Sequence, residues 1–261
     1  MKVASWNVNS VKVRLPHLID FLKSAEPDVL CLQETKCLAD DFPRLELSAL
    51  GYRVEALGQR AYNGVALLSR LPARDVVCGL PGLDDQQARY IEASFGTAGD
   101  GGEVRVASAY VPNGNPVGTE KFDYKIRWME RLHDHAAELL QLERPVVLCG
   151  DWNVVPEDRD VFSVRATERD AVMQPEAREW WRRIVHQGWT DALRALNPDE
   201  PKLYTFWDYT AGCWQRDLGF RLDHLLCSPE AADRLQGAGV DKWARAQEKA
   251  SDHAPTWVEL A

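Results

Sequence analysis

What most constrains the fold of this chain is a rhythm of short apolar segments that repeatedly run out into polar residues. KVASWNV, DVLCLQE, YRVEAL, GVALLSR, ARYIEASF, VRVASAYV, PVVLCGDWN, LYTFWDY, FRLDHLLCS and HAPTWVEL are rich in β-branched or aromatic residues. Gly, Pro and Asp punctuate them, as expected of strands. Helical patterns lie between. Leu15 to Ala25 sets Leu15, Leu18, Ile19 and Leu22 on one face. Lys121 to Gln141 carries Phe122, Ile126, Met129, His133, Ala136 and Leu140 at helical spacing, and Pro175 to His186 carries Trp180, Trp181 and Ile184. Many strands and few helices predict an α/β fold of stacked sheets flanked by helices, not a simple doubly wound sheet. No Pro/Gly/Ser-rich linker divides the 261 residues, so one domain spanning 1–261 is expected.

The polar endings matter more than the strands. VVLCGDWN delivers Asp151 and Asn153 to one face with Trp152 turned away, because side chains alternate along a strand. By the same alternation Asn7 and Asn9 share a face, and Asp223 shares one with Leu225 and Cys227. DVLCLQETK ends in Glu34, and SDHAP presents Asp252 and His253 just before the last strand. A carboxylate held against an apolar core is costly unless it is paired or binds a metal. Any one of these is an ordinary capped turn; Glu34, Asp151, Asp223 and Asp252 together point to a site at the strand ends.

Hard oxygen donors without paired cysteines indicate Mg²⁺, or Mn²⁺, rather than zinc. Magnesium with one histidine fits hydrolysis of a phosphate ester. His253 is that histidine, since it adjoins Asp252 and has Asp223 as a partner that would favour imidazolium. His17, His133, His135 and His186 sit in helical patterns, and His224 shares a side with Leu222 and Leu226, so these are expected to be structural.

A net charge of −9 argues against nucleic acid, but only weakly. Carboxylates that hold a cation make a chain acidic while creating a site that attracts phosphate. The six cysteines form no CxxC pair, and Cys31, Cys149 and Cys227 fall within apolar runs, which suits core thiols in a reducing cytoplasm. MKVASWNVNS has no apolar signal region and no run is long enough to span a bilayer, so no membrane association is expected.

WNVNS, LQETK, GVALLS, AYVPN, GDWN, RLDH and SDHAP, in this order, resemble the exonuclease III class of abasic-site endonucleases, within the endonuclease/exonuclease/phosphatase superfamily. The likeness runs from Lys2 to the last strand. It implies a DNase I-like four-layer α/β sandwich with the site at the rim of two packed sheets. It also implies that Asn7 and Glu34 hold the metal with Asp252 nearby, joined by Asp151, Asn153 and His253 if a second ion binds. Asp151 would activate water, Asn153 would orient it, and Tyr110 would contact the phosphate or assist the leaving group. The Asp223–His253 pair would contact the scissile phosphate.

By the same resemblance Lys36, Tyr62, Arg89 and Asn113 would touch the DNA backbone, though Lys36 and Arg89 also read as solvated charges. Phe206, Phe220 and Leu222 would line a pocket for a flipped sugar that lacks its base. Trp214 would either wedge into the duplex or pack on its own loop. The chain departs from some relatives in GNPVG, which lacks an arginine, and in His224. The implied activity is Mg²⁺-dependent cleavage 5′ to abasic sites in duplex DNA, with action at 3′ ends, by a monomer. The alternatives are a lipid or inositol phosphatase, and an inactive DNA-binding protein.

Overall fold

Alternation along the strands is resolved by two six-stranded sheets packed face to face in a computed structural model that describes residues 1–96 and 102–261. Numbered in chain order, one sheet comprises β1 (Lys2–Asn7), β2 (Val29–Gln33), β3 (Arg53–Leu57), β4 (Val65–Ser69), β11 (Leu235–Val240) and β12 (Thr256–Leu260). The other comprises β5 (Ala73–Cys78), β6 (Tyr90–Gly96), β7 (Glu103–Tyr110), β8 (Val146–Asp151), β9 (Thr190–Asp191) and β10 (Asp223–Cys227). Their orders are β11-β12-β1-β2-β4-β3 and β5-β6-β7-β8-β10-β9. Each sheet has one parallel pair at its centre. A helix over Val11–Ala25 carries the crossover from β1 to β2, and one over Glu120–Leu140 that from β7 to β8.

Side chains facing the other sheet form a dry core: Val3, Cys31 and Leu67 meet Phe95, Val106, Val147 and Leu225. Outward-facing Ala4, Trp6, Leu30 and Leu32 pack on Leu18, Phe21 and Leu22 of the first crossover helix. Outward-facing Val146, Leu148 and Trp152 pack on Trp128, Met129 and Leu132 of the second, and on Trp181 and Ile184 of the helix Pro175–Val185. The result is the four-layer α/β sandwich that was expected. Each fully buried large aliphatic or aromatic side chain contributes roughly 1.5–3 kcal/mol. Among the described residues no helix is long and apolar enough to cross a membrane.

Within the dry core the chemistry changes along each strand. Inward positions run Val3, Ser5, Asn7 on β1 and Val147, Cys149, Asp151 on β8. β10 is antiparallel to β8, so its polar end is its beginning, and Asp223 lies directly opposite Asp151. Parallel β7 puts Tyr110 beside Asp151 on the other flank. Below this polar edge, Gln33 Nε2 donates to Ser5 Oγ (3.1 Å) and to Ser108 Oγ (2.9 Å), tying the two sheets together.

Three expectations need correcting. LYTFWDY is not a strand; within it Phe206 makes only isolated bridges, to Phe220 and His253. The buried face of Glu120–Leu140 comprises Phe122, Lys125, Trp128, Met129, Leu132, His135, Ala136 and Leu139, so Ile126, His133 and Leu140 lie at its margin. Strands β5, β9 and β11 were not anticipated.

Candidate active site

The end of β8 explains how a carboxylate comes to sit at the rim. Gly150 has φ +143°, and a Cβ there would lie 1.9 Å from the Ala109 carbonyl oxygen, so only glycine lets β8 press against β7. Asp151 then points between the sheets while Trp152 enters the helix layer. Asn153 is not on the strand but in a left-handed turn (φ 47°). Asp151 Oδ1 accepts the Asn153 N–H (3.0 Å), and this short loop folds the amide back to the Asp151 side.

Around Asp151 the expected residues converge. Asn7 Nδ2 donates to both Asp151 Oδ2 (3.0 Å) and Glu34 Oε1 (2.9 Å), bridging the two sheets. The Tyr110 hydroxyl donates to the same Glu34 oxygen (2.9 Å), and Lys36 Nζ lies 2.9 Å from Glu34 Oε2. Asn153 Nδ2 donates to Asp151 Oδ2 (3.3 Å) and to Val111 O (2.9 Å). His253 Nδ1 is 2.8 Å from Asp223 Oδ2, and its Nε2 is 3.7 Å from Asp151 Oδ2. Asp252 sits one step further out, accepting from Asn9 Nδ2 (3.1 Å).

Burial and charge act together on these groups. Burial pushes the Asp151 carboxyl up to about 7; His253 opposes the rise and Asp223 adds to it. Burial works against a charged His253, but Asp223 and Asp151 outweigh it and raise the imidazole to about 10, so it is imidazolium at neutral pH. Burial also opposes ionisation of Glu34, yet the Asn7 amide and Lys36 ammonium hold its carboxyl below the usual range. Tyr110 is held well above an ordinary phenol by burial, then by Glu34 and Asp151. It acts as a hydrogen-bond donor, not a phenolate.

The donor set fits a hard divalent cation. Asp151, Asp223 and His253 offer ligand atoms within 4.8 Å of one another, and the buried Asp223 Oδ1 has no hydrogen-bond partner among the described residues. Glu34 adds a further carboxylate through Asn7. The site opens into a cavity of about 400 Å³, lined by polar Glu34, Asp151, Asn153 and His253 and by apolar Val172, Phe206, Phe220 and Leu222.

The family model for the endonuclease/exonuclease/phosphatase family matches residues 4–253. The chain belongs to that family. It is 32% identical to exodeoxyribonuclease III of Haemophilus influenzae over 100% of both chains. It superposes on an AP endonuclease from Archaeoglobus fulgidus with a TM-score of 0.93 and 36% identity, covering 100% of this chain and 99% of the other. With a 3′-5′ exonuclease from Neisseria meningitidis the TM-score is 0.94 at 39% identity, with the same coverage. A Neisseria 3′ phosphatase bound to product DNA hairpin matches at 0.94 and 38%, again covering 100% and 99%. The protein is therefore a hydrolase of the endonuclease/exonuclease/phosphatase family with a DNase I-like fold.

The remaining candidate residues of this family member lie at graded distances from the cavity. Tyr62, 71% exposed, lines a second hollow of about 560 Å³ with Arg89 and Asn113, contiguous with the first at Asn113 and Asn115. Arg89 is fixed there, its guanidinium 4.6 Å from the Tyr110 ring centroid and donating to Tyr110 O (3.3 Å). Trp214 lies at neither hollow. It packs edge-on against buried Trp207, with ring centroids 4.9 Å apart, and Arg245 lies over its ring. His224 is buried 4.2 Å from the Trp181 ring, and burial together with Arg221 lowers it to about 4, so it is a neutral core residue.

Sequence reasoning missed Lys125, whose Nζ donates to Asn113 O (3.0 Å) and to Asn153 O from full burial. Burial pushes this amine down to about 7, against Asp151 and Asp170. It also missed Asn115, which joins the cavity wall by donating to Asp170 Oδ1 (2.9 Å) and accepting from the Ala171 N–H. A lysine in a charged helical stretch carries no sign of burial, so neither signal was available from the sequence.

Proposed function

We propose that this protein is an exodeoxyribonuclease III-like enzyme that hydrolyses the phosphodiester 5′ to abasic sites in duplex DNA, using Mg²⁺ or Mn²⁺. The observation that carries this reading is the pairing of an excess-carboxylate rim with an apolar wall of Phe206, Phe220 and Leu222 in one cavity. The rim suits a cation and a phosphate. The wall suits a sugar without its base, because unstacking costs least where no base is present.

Asn7 and Glu34 would hold the cation with Asp252 nearby; if a second ion binds, Asp151, Asn153 and His253 would serve it, His253 only after giving up its Nε2 proton. Bound there, the cation would neutralise charge developing on the phosphate. Asp151, whose carboxyl lines the cavity, would accept a proton from water, with Asn153 orienting that water. The imidazolium of His253, held by Asp223, would face the phosphate, and the neutral Tyr110 hydroxyl, which here donates to Glu34, would turn to the phosphate or to the leaving oxygen. Lys36, Tyr62, Arg89 and Asn113 would track the DNA backbone. We assign the enzyme to the cytoplasm as a single-domain monomer, in keeping with six free cysteines.

The similarity to the Neisseria 3′-5′ exonuclease and 3′ phosphatase supports a second activity at the same site, removal of nucleotides or blocking groups from 3′ ends. The test is a labelled duplex with one tetrahydrofuran abasic analogue, incubated with Mg²⁺ or with EDTA. A single nick 5′ to the analogue, abolished by EDTA, is the expected product. Stepwise shortening alone would assign the site to 3′ ends, and no reaction in Mg²⁺ or Mn²⁺ would overturn the proposal.

A further inference from the structure

Lys125 lies on the Glu120–Leu140 helix with no solvent exposure, and its ammonium hydrogen bonds run to backbone carbonyls rather than to a carboxylate. One carbonyl belongs to Asn113 (3.0 Å) and the other to Asn153. Those two residues also meet through their side chains, Asn113 Nδ2 donating to Asn153 Oδ1 (3.1 Å). A single amine thus pins two loops from different strand ends, after β7 and after β8, at the place where their amides touch.

The backbone makes room for it. Gly114 has φ +89°, and a Cβ there would lie 2.7 Å from Lys125 Cδ. The lysine stem therefore crosses the loop where another residue type would collide. Burying an amine without a carboxylate partner is costly, and a methionine would fill the same space more cheaply. The amine's contribution must lie in the bonds it makes. Asn153 sits in the left-handed region, which asparagine tolerates, so the bonds around it decide where its amide points. In this pose its Nδ2 lies 3.3 Å from Asp151 Oδ2.

The geometry points to Lys125 as a positioning residue that fixes the Asn153 amide, and with it the Asn113 loop, against Asp151. It touches no substrate; it acts through Asn153. This rests on the proposed nuclease reading, and wild-type cleavage of the abasic duplex is the control that separates the two. If the wild type does not cut, the function assignment fails. If it cuts and the variants below cut equally well, the inference about Lys125 fails.

Lys125→Met keeps the volume and removes the donors. Single-turnover cleavage of the tetrahydrofuran duplex should slow about 10- to 100-fold, the scale of small misplacements of catalytic groups, while duplex affinity changes far less than the rate. Lys125→Arg, which restores donors to the same carbonyls, should recover most of the rate. A merely structural role would lower stability without splitting rate from affinity, and would not distinguish Arg from Met. A folded Lys125→Met that cuts at the wild-type rate overturns the proposal, as does Lys125→Arg performing no better than Met. If Lys125→Met does not fold, Gly114→Ala carries the test by displacing the stem with the amine retained. Wild-type cleavage by that variant counts against the proposal, and cleavage slowed far more than affinity supports it.

Discussion

Two buried polar clusters meet near the start of β10 and differ in how their charge is balanced. On the outer side, Arg221 clamps Asp160 through Nε–Oδ1 and Nη2–Oδ2 (both 2.9 Å) and reaches Asp191 Oδ2 (2.6 Å), while Arg194 holds Asp160 Oδ1 (2.7 Å). Two guanidinium groups meet two carboxylates, and Arg221 and Asp160 are fully buried. On the inner side, among the described residues, only His253 and Lys36 pair directly with Glu34, Asp151, Asp223 or Asp252, while Lys125 acts on Asp151 and Arg245 on Asp252 from further away. Burial acts on both clusters. In the outer one Arg221 and Arg194 overcome it and hold the Asp160 carboxyl below its usual range, whereas in the inner one Asp151 rises to about 7. The matched cluster is closed and structural. The unmatched one faces a cavity and calls for a cation and an anionic substrate.

Substitutions should separate the two. Asp151→Asn should reduce cleavage of an abasic duplex by about 10²–10⁴-fold, the range for loss of a general base, while duplex binding survives. Cleavage near the wild-type rate would remove Asp151 from the chemistry. Arg221→Met should instead cost about 3–5 kcal/mol in urea unfolding, because it breaks a buried bidentate pair and leaves Asp160 with Arg194 alone. A loss well under 1 kcal/mol would mean that the outer cluster is not the structural clamp described here.

Stability against pH sharpens the contrast. The folded state raises Asp151 to about 7 from an ordinary value of about 3.9, so it favours the protonated form. That contribution is complete below the ordinary value and is lost as pH rises through about 7. The His253 contribution, raised to about 10, is complete below about 6.5 and is lost only as pH rises through 10. Asp160 behaves oppositely: its carboxyl is lowered, so its contribution is present above the ordinary range and lost in acid. In EDTA, the thermal midpoint should therefore carry a component that falls between pH 4 and 7 and disappears in Asp151→Asn. Mg²⁺ should raise the midpoint more at pH 8 than at pH 5. Equal Mg²⁺ effects at both values would count against binding to the rim carboxylates. The smallest effect is expected at Tyr62, where Ala should change stability by less than about 0.5 kcal/mol while weakening duplex affinity. Unchanged affinity would place the DNA away from the second hollow.

Most of the site was legible because its residues end strands whose alternation is plain, as in Val147, Cys149, Asp151. What escaped depends on neighbours distant in sequence. β11 is hidden because Gly237 and Gly239 leave room for the Trp257 ring, which a Cβ at either would approach within 3.2 Å and 2.8 Å. β5 carries exposed Arg74 and Asp75 and a register break between Arg74 and Val77, so it lacks strand alternation. Lys125 gives no local sign that it will be sealed beneath two loops. The Trp214 loop depends on Trp207 and on Arg245 from a later segment, a packing that no pattern within the loop announces.

The proposed chemistry requires the rim cluster to be a cation site. The most direct measurement is anomalous diffraction from crystals of the protein soaked in Mn²⁺. The account predicts a peak within bonding distance of the Glu34 or Asp151 carboxylate, absent from Glu34→Ala crystals or displaced in them. Crystals of active protein with Mn²⁺ bound elsewhere and none at this rim would contradict it.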